Sequence, residues 1–316
     1  MNPLKSLLCA AALCVAGIAT AQPYPNKPVR FIVPFAAGSS IDIFTRVVLD
    51  EIHRKTGATF VVEPKPGALG MIGTDQVAKS APDGYTLMPS CSATHSSGPQ
   101  LSKNVPYDAL KDFTHLSAID RFDLMLVTNG PPGAKTVEQL IEEGRKRKLL
   151  FGYGSATGQV GAEAFTRAGG IKAEGVSYKG QPLALNDLAG GHVDFVTSDI
   201  PSVSAQVRAG RLNALAVSSD RRSALFPDVP TLTEKGLKVE LVGWVGFAGP
   251  AGLPAEVRAW WSRQVADAVA STAVVERFRT MGVEPFALSG DAFDRFVRQQ
   301  YEVWGRHIRE AGITPQ

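Results

Sequence analysis

Residues 29–42 read VRFIVPFAAGSSID, and this passage decides the fold. Its β-branched and aromatic run predicts a buried strand, which Pro34 and Gly38 bring to an end. Ser39, followed three residues later by Asp42, has the form of a capping box, so we expect a helix to begin here. The first N–H groups of a helix are unpaired and carry partial positive charge. The passage therefore predicts either a simple helix cap or a site that holds a carboxylate or phosphate.

Strand and helix signals alternate along the rest of the chain. In the first part, apolar residues recur at helical spacing over 41–55, and short strands are indicated at 60–62 and 85–88. The middle of the chain repeats this order, beginning with a helix at 137–147, a strand at 149–153 and a helix at 160–168. This order predicts an α/β protein with parallel strands and helices on both faces of the sheet.

Two turns rich in glycine and proline bound the second set of elements. Residues 130–133 (GPPG) precede it and residues 249–252 (GPAG) follow it, and both are candidate crossovers between lobes. A chain of 316 residues with 44% hydrophobic content is long enough for two cores. We expect one lobe from residues 22–125 together with 246–316, and a second lobe from residues 126–245.

The first 21 residues have the form of a secretory signal peptide. Lys5 precedes an apolar run over 7–18, and Ala19-Thr20-Ala21 is an A-x-A cleavage site. We therefore expect cleavage after Ala21 and a periplasmic mature protein. Of the three cysteines only Cys91 would remain, so no internal disulfide is expected.

The composition argues against several classes of function. A net charge of +3 without a basic cluster interleaved with aromatic residues does not suit a nucleic-acid partner. The five histidines are scattered without metal-ligand spacing, and the dinucleotide, phosphate-loop and nucleophile-elbow motifs are missing. We expect no catalytic residue, no metal and no cofactor. An exported hydrolase that uses Ser155 or Cys91 with His95 stays open as a rival hypothesis.

Four turns that follow predicted strands are rich in hydrogen-bond donors. Ligands of open α/β sheets lie outside the carboxyl ends of the strands, so these turns are the candidate binding elements. Two of them lead into helices, and facing helix starts would suit a mono- or dicarboxylate. Local capping, or for His95 a locally bonded histidine, would explain the same residues. The turns are 36–40, 90–97 with Thr94 and His95, 155–161 with Thr157 and Gln159, and Ser198-Asp199.

Six short motifs occur in a fixed order along the expected mature chain. They read YPNKPVR (24–30), VPFAAG (33–38), APDGYTL (81–87), YKG (178–180), DLAGGHVD (187–194) and FPDVPT (226–231). Each is weak alone, but the ordered set is specific. Together they resemble the Bug-type periplasmic solute-binding receptors of tripartite tricarboxylate transporters.

The resemblance implies a type II-like periplasmic binding fold with two lobes that close around a ligand, each lobe being a mainly parallel sheet flanked by helices. It implies a monomer that binds a small organic acid and performs no chemistry. The acid would be delivered to membrane transporter subunits, or in some relatives to a sensing partner such as a signalling kinase. The ligand contacts that it implies are Phe35, Ala37, Gly38, Ser39, Ser40, Asp42, Ser92, Thr94, His95, Ser155, Thr157, Gly158, Tyr178 and Asp199.

Ser39 is the departure from the family pattern that bears most on the ligand. A second glycine usually follows the glycine at position 38, and serine adds a hydroxyl while narrowing the backbone freedom. Ser39 is therefore our first candidate for ligand choice. Phe35 offers an apolar wall for an aliphatic or aromatic acid, and Asp199 would orient or exclude a second polar group.

Overall fold

The computed structural model describes residues 24–315, so the predicted signal peptide and its cleavage site lie outside the described residues. The strands are β1 (Val29–Val33), β2 (Phe60–Pro64), β3 (Thr86–Cys91), β4 (Phe113–Asn129), β5 (Leu149–Tyr153), β6 (Ala173–Ser177), β7 (Phe195–Asp199), β8 (Leu212–Val217), β9 (Val242–Pro250) and β10 (Glu284–Ser289). The helices are α1 (Ser40–Thr56), α2 (Met71–Ala78), α3 (Gly98–Leu101), α4 (Val137–Lys146), α5 (Ala156–Ala168), α6 (Gln181–Ala189), α7 (Ile200–Arg208), α8 (Ala255–Val269), α9 (Thr272–Met281) and α10 (Gly290–Glu310). A 3-10 turn at Ala68–Gly70 and a π-helical turn at Ala93–Ser97 complete the regular elements of this range. Within residues 24–315, each helix is too short or too polar to cross a membrane.

The described strands form one mixed sheet in the order β2-β1-β3-β9-β4-β7-β5-β6, and β8 and β10 also pair with β4. In the first half, β1 lies parallel between β2 and β3; in the second half, β5 lies parallel between β6 and β7. The pairs in the middle of the sheet, β3 with β9, β9 with β4 and β4 with β7, are antiparallel. The α/β prediction is confirmed. The predicted parallel pairing holds for the outer three strands of each half and does not extend to the strands around β4.

Strand β4 links the two halves of the sheet. Up to Asp123 it pairs with β9, and from Leu124 onward it pairs with β7. β9 begins at Val242, opposite Asp123, so the chain passes between the halves at these two adjacent strands. The glycine-rich turns at 130–133 and 249–252 lie away from this point, one after β4 and the other at the end of β9. The lobe boundaries at 126 and 246 stay a prediction.

Helix α1 begins as the capping box predicted. The Ser39 hydroxyl accepts a hydrogen bond from the Asp42 N–H at 3.4 Å, and the Asp42 carboxylate accepts one from the Gly38 N–H at 2.9 Å. Gly38 has a φ of 77°, a left-handed conformation that glycine adopts without strain. The turn after β1 is therefore stabilised by hydrogen bonds of its own side chains, and its backbone conformation does not require a bound ligand.

Three large, fully buried aromatic side chains hold β1 in place. Phe31, Phe247 and Trp261 are fully buried, and their ring centroids lie 4.8 to 6.0 Å apart. These contacts pack α8 against β1 and β9. Burying each of these side chains contributes roughly 2–3 kcal/mol, so the strand that leads into the turn at 34–40 is firmly anchored.

Strand β4 also buries two ionisable side chains. His115 is 4% exposed and Asp120 is fully buried. Burial, together with the positive charge of Arg298, lowers the pKa of His115 to about 4. Burial, together with the neighbouring Asp199, raises the pKa of Asp120 well above its usual value. Both groups therefore favour their neutral forms.

The low pKa of His115 predicts a loss of stability in acid. The unfolded histidine takes up a proton near pH 6.5, whereas folded His115 does so only near pH 4. As the pH falls through this window, the histidine lowers the free energy of unfolding by up to about 1.4 kcal/mol per pH unit. The variant His115→Leu has no histidine at this position, so its free energy of unfolding lacks this pH-dependent loss. Its stability relative to wild type should rise by roughly 2–3 kcal/mol between pH 6.5 and pH 4.5.

Urea unfolding of both proteins across this pH range measures the difference. His192→Gln, at an exposed position, is the control and should keep the pH dependence of the wild type. A stability difference between His115→Leu and wild type that stays constant with pH would contradict the prediction.

Candidate functional site

A cleft of about 970 Å³ lies between the two halves of the sheet. One wall consists of the loops that follow β1, β2 and β3, and the other consists of the loops that follow β5, β6 and β7. Phe122 of β4 and Met281 at the end of α9 also line it. The cleft therefore lies at the carboxyl ends of six strands, which is where ligands bind in open α/β sheets.

Most of the predicted contact residues line this cleft, and the others are outside its lining. The Asp42 carboxylate already has two partners, since it accepts from the Gly38 N–H at 2.9 Å and pairs with Arg46 at 3.0 Å. The N–H of Gly158 is used by the Ser155 hydroxyl at 3.1 Å. Contact with a ligand stays a prediction for every one of these residues. Those in the lining are Phe35, Gly38, Ser39, Ser40, Ser92, Ser155, Thr157, Tyr178 and Asp199; those outside it are the exposed Ala37 and the buried Asp42, Thr94, His95 and Gly158.

Four helices begin at the cleft. The N-cap residues of α1, α5, α6 and α7 are Ser39, Ser155, Gly180 and Asp199, and all four line it. The side chains of Ser39, Ser155 and Asp199 each accept one hydrogen bond from their own helix, at 3.4, 3.1 and 3.0 Å. In α1 and α5 the N–H groups of the first two residues have no partner within the helix, whereas the second residues of α6 and α7 are prolines, which carry no N–H. The helix dipoles place partial positive charge at each helix start. The arrangement favours an anion in the cleft.

The turns after β5 and β6 touch through their backbones. The Gly154 N–H donates to Gln181 Oε1 at 3.0 Å, and the Gln181 amide donates in turn to the Thr197 carbonyl at 3.3 Å. A Cβ at position 154 would overlap the backbone of Gly180 and Gln181. Because Gly154 carries none, the starts of α5 and α6 can lie side by side.

The charges in the cleft lining are few. Among the residues that the structure describes, Lys179 is the one basic side chain of the lining and Asp199 the one acidic side chain. Burial raises the pKa of Asp199, while hydrogen bonds from Ser202 and from the Ser40 hydroxyl act in the opposite direction. Ser40 begins α1 and Asp199 caps α7, and both line the cleft.

Several lining residues were not among those predicted. Lys179 and Gly180 belong to a motif that the sequence shows directly after β6, and residues 66–70 form a Pro/Gly turn after β2. The rule that selected the other turns would have found both. Phe122 lies within β4 and Met281 ends α9, so only the folded arrangement brings them to the cleft.

The rival hydrolase hypothesis lacks an activated nucleophile. The Ser155 hydroxyl contacts Gly158 N–H and Thr157 Oγ1, and no histidine among residues 24–315 bonds to it. Burial raises the pKa of the Cys91 thiol, which keeps it protonated and weakly nucleophilic. The ring of His95 is fully buried, and its Nδ1 lies 2.9 Å from Thr94 Oγ1. Within residues 24–315, no cluster of acidic, histidine or cysteine side chains is arranged to hold a metal ion.

Solved structures define the class of protein to which this fold corresponds. The periplasmic binding protein BugD aligns with a TM-score of 0.88 and 29% identity, covering 93% of this chain and 100% of that chain. The R. palustris protein Rpa4515 with adipate aligns with a TM-score of 0.89 and 28% identity, again covering 93% and 100%. The fold is that of the periplasmic binding proteins.

Sequence comparison then defines the family. The sequence model of TctC, the tripartite tricarboxylate transporter family receptor, matches residues 44–313. Protein BugT of Bordetella pertussis is 34% identical over 309 residues, covering 95% of this chain and 95% of that protein. The chain belongs to the tripartite tricarboxylate transporter receptor family, a family of substrate-binding receptors. The resemblance carried by its motifs is confirmed.

The close approach of the two turns predicts a steric cost at position 154. Gly154→Ala should lower the free energy of unfolding by about 1–3 kcal/mol, since the new methyl group meets backbone atoms that cannot move aside cheaply. Denaturant unfolding measures this change. Gly180→Ala is the matched control, because a Cβ at position 180 meets its nearest atoms only at 3.8 and 4.0 Å. Equal destabilisation by the two substitutions would contradict the steric argument.

Proposed function

We propose that the protein is an extracytoplasmic receptor that captures a small organic carboxylate between its two lobes and delivers it to a membrane transporter. The observation that carries the proposal is the convergence of four helix N-termini, capped by Ser39, Ser155, Gly180 and Asp199, on one cleft. Free backbone N–H groups and aligned dipoles hold anions well. The family description of a tricarboxylate transporter receptor supports the same reading.

The carboxylate would lie between the first turns of α1 and α5. Ser39 and Ser40 offer hydroxyl groups from one wall, and Ser155 and Thr157 offer them from the other. A ligand held by both walls draws them together, so capture and closure are one event. The adipate in the R. palustris relative supports a carboxylate as ligand.

The rest of the ligand would be hydrocarbon. Phe35, Leu69, Phe122 and Met281 contribute apolar side chains to the cleft. An aliphatic or aromatic body gains free energy by leaving water against such a surface. A volume of about 970 Å³ has room for acids larger than the smallest metabolites.

Export and delivery complete the proposed role. The signal-peptide pattern of residues 1–21 would place the mature protein in the periplasm, where it would bind the acid before meeting the transporter. Uptake of the identified acid by cells that produce the protein, compared with cells that lack it, tests delivery. Equal uptake by the two strains would contradict the transport role.

Carboxylates should stabilise the mature protein against heat. A ligand at a hundredfold excess over its Kd adds about 2.7 kcal/mol to the free energy of unfolding, which raises Tm by roughly 5 °C in a protein of this size. Thermal-shift measurements would compare aliphatic and aromatic carboxylates with the matching primary amides and with sugars. Stabilisation by amides or sugars and not by any carboxylate would contradict the proposal.

A negative charge at the start of α5 should weaken carboxylate binding without unfolding the protein. Thr157 is the second residue of α5 and lines the cleft. Thr157→Asp complements the helix dipole but repels a bound carboxylate, so affinity should fall by at least about tenfold. Thr157→Asn is the matched neutral control. Calorimetric titration gives the affinities, and an unchanged affinity in Thr157→Asp would place the ligand elsewhere.

A further inference from the structure

The turn after β2 has a strained backbone. Residues 67–70 have positive φ angles of 136°, 46°, 54° and 98°. The Gly70 N–H donates to the Gly67 carbonyl at 2.9 Å, so Ala68 and Leu69 are the two central residues of a tight turn. Such positions usually hold glycine or asparagine, because a larger side chain collides with the backbone there. Within residues 24–315, Ala68 and Leu69 are the two residues other than glycine with a positive φ.

The surrounding structure holds the turn in this conformation. A Cβ on Gly70 would lie 2.9 Å from Thr94 Cγ2 and 3.3 Å from the Phe35 ring, so the turn packs closely against both side chains. The Thr74 hydroxyl donates to the Gly70 carbonyl at 2.9 Å. Strained residues persist only where their neighbours fix them, and they concentrate at ligand-binding sites.

The strained turn is part of the cleft wall. Residues 66–70 all line the cleft, as does Phe35. Leu69 is half-buried and packs against the main hydrophobic core. A glycine at position 69 would adopt the same backbone conformation without strain, but it would place no side chain in the wall. The turn therefore keeps an apolar side chain in the cleft at a cost in stability.

We propose that Leu69 determines specificity by limiting the size of the hydrocarbon part of the acid that the cleft accepts. The side chain occupies space in the same wall as Phe35, and the strained turn fixes its position before a ligand binds. This inference rests on the proposed function and adds to it the ligand class, which is a carboxylate with a compact hydrocarbon part.

Two series of acids that grow by one carbon at a time provide the test. They are straight-chain monocarboxylates from butanoate to decanoate, and benzoates with para-alkyl groups from methyl to butyl. Calorimetry would give the Kd of each acid for the wild type and for Leu69→Ala, which removes three carbon atoms from the wall. Each buried CH2 group improves affinity about fourfold. In Leu69→Ala the affinity ratio of long to short acids should therefore rise by at least about tenfold.

Two further variants separate this role from general effects of truncation. Leu69→Gly removes the same side chain and relieves the strain, so it should shift the preference toward longer acids as Leu69→Ala does and melt about 2–4 °C higher than that variant. Val61→Ala shortens an exposed apolar side chain outside the cleft lining and should keep the preference of the wild type.

The strain is tested by one substitution at two exposed positions. Ala68→Gly should raise Tm by about 2–4 °C, because glycine adopts the left-handed conformation freely. Ala259 is exposed inside α8, and Ala259→Gly should lower Tm because glycine is unfavourable within a helix. A Tm that falls in both variants shows an unstrained turn and removes the basis of the assignment.

The remaining outcomes of the binding test overturn either the inference or the proposed function. An unchanged length preference in Leu69→Ala, or equal weakening of all acids, removes the role assigned to Leu69. Binding of no acid of either series by the wild type contradicts the proposed function itself, which distinguishes that failure from a failure of the Leu69 assignment.

Discussion

The structure depends on one constraint: a helix cannot pair the first N–H groups of its own backbone. Here four helices begin at the carboxyl ends of strands that face a common cleft, so these donors converge on one space. Side chains of Ser39, Ser155 and Asp199 satisfy one donor each. The remaining donors make the cleft suited to an anion without a cluster of basic residues, and its lining holds one lysine among the described residues.

Packing in both halves of the sheet holds the four helix starts at the cleft. In the first half of the sheet, Phe31 and Trp261 anchor β1 beneath the turn that starts α1. In the second half, the bare backbone of Gly154 lets the starts of α5 and α6 lie against each other. β4 and β9 connect the halves at the end of their pairing, where Asp123 lies opposite Val242, and movement of one wall toward the other would bend these two strands. The same sheet therefore positions the helix starts for binding and connects the two walls that would close.

The parts of this arrangement set by local sequence could be predicted. The strand at 29–33, its turn and the Ser39 cap follow from residues close together in the chain, and the ordered motifs identified the family. Long-range packing decided the rest. His95 follows a strand as expected, yet the π-helical turn directs its ring into a fully buried cluster with Phe113 and His115. Phe122 reaches the cleft from a strand whose length depends on partners far away in sequence.

The central claim is that backbone N–H groups of α1 and α5 bind the ligand carboxylate, and amide NMR spectra during a carboxylate titration test it most directly. The account predicts that the largest amide proton shifts fall on Ser40, Ile41, Ala156 and Thr157, all in the first turns of these helices. The matching primary amide should leave these signals nearly unmoved. Saturable binding of a carboxylate whose largest shifts lie outside both helix starts would contradict the account.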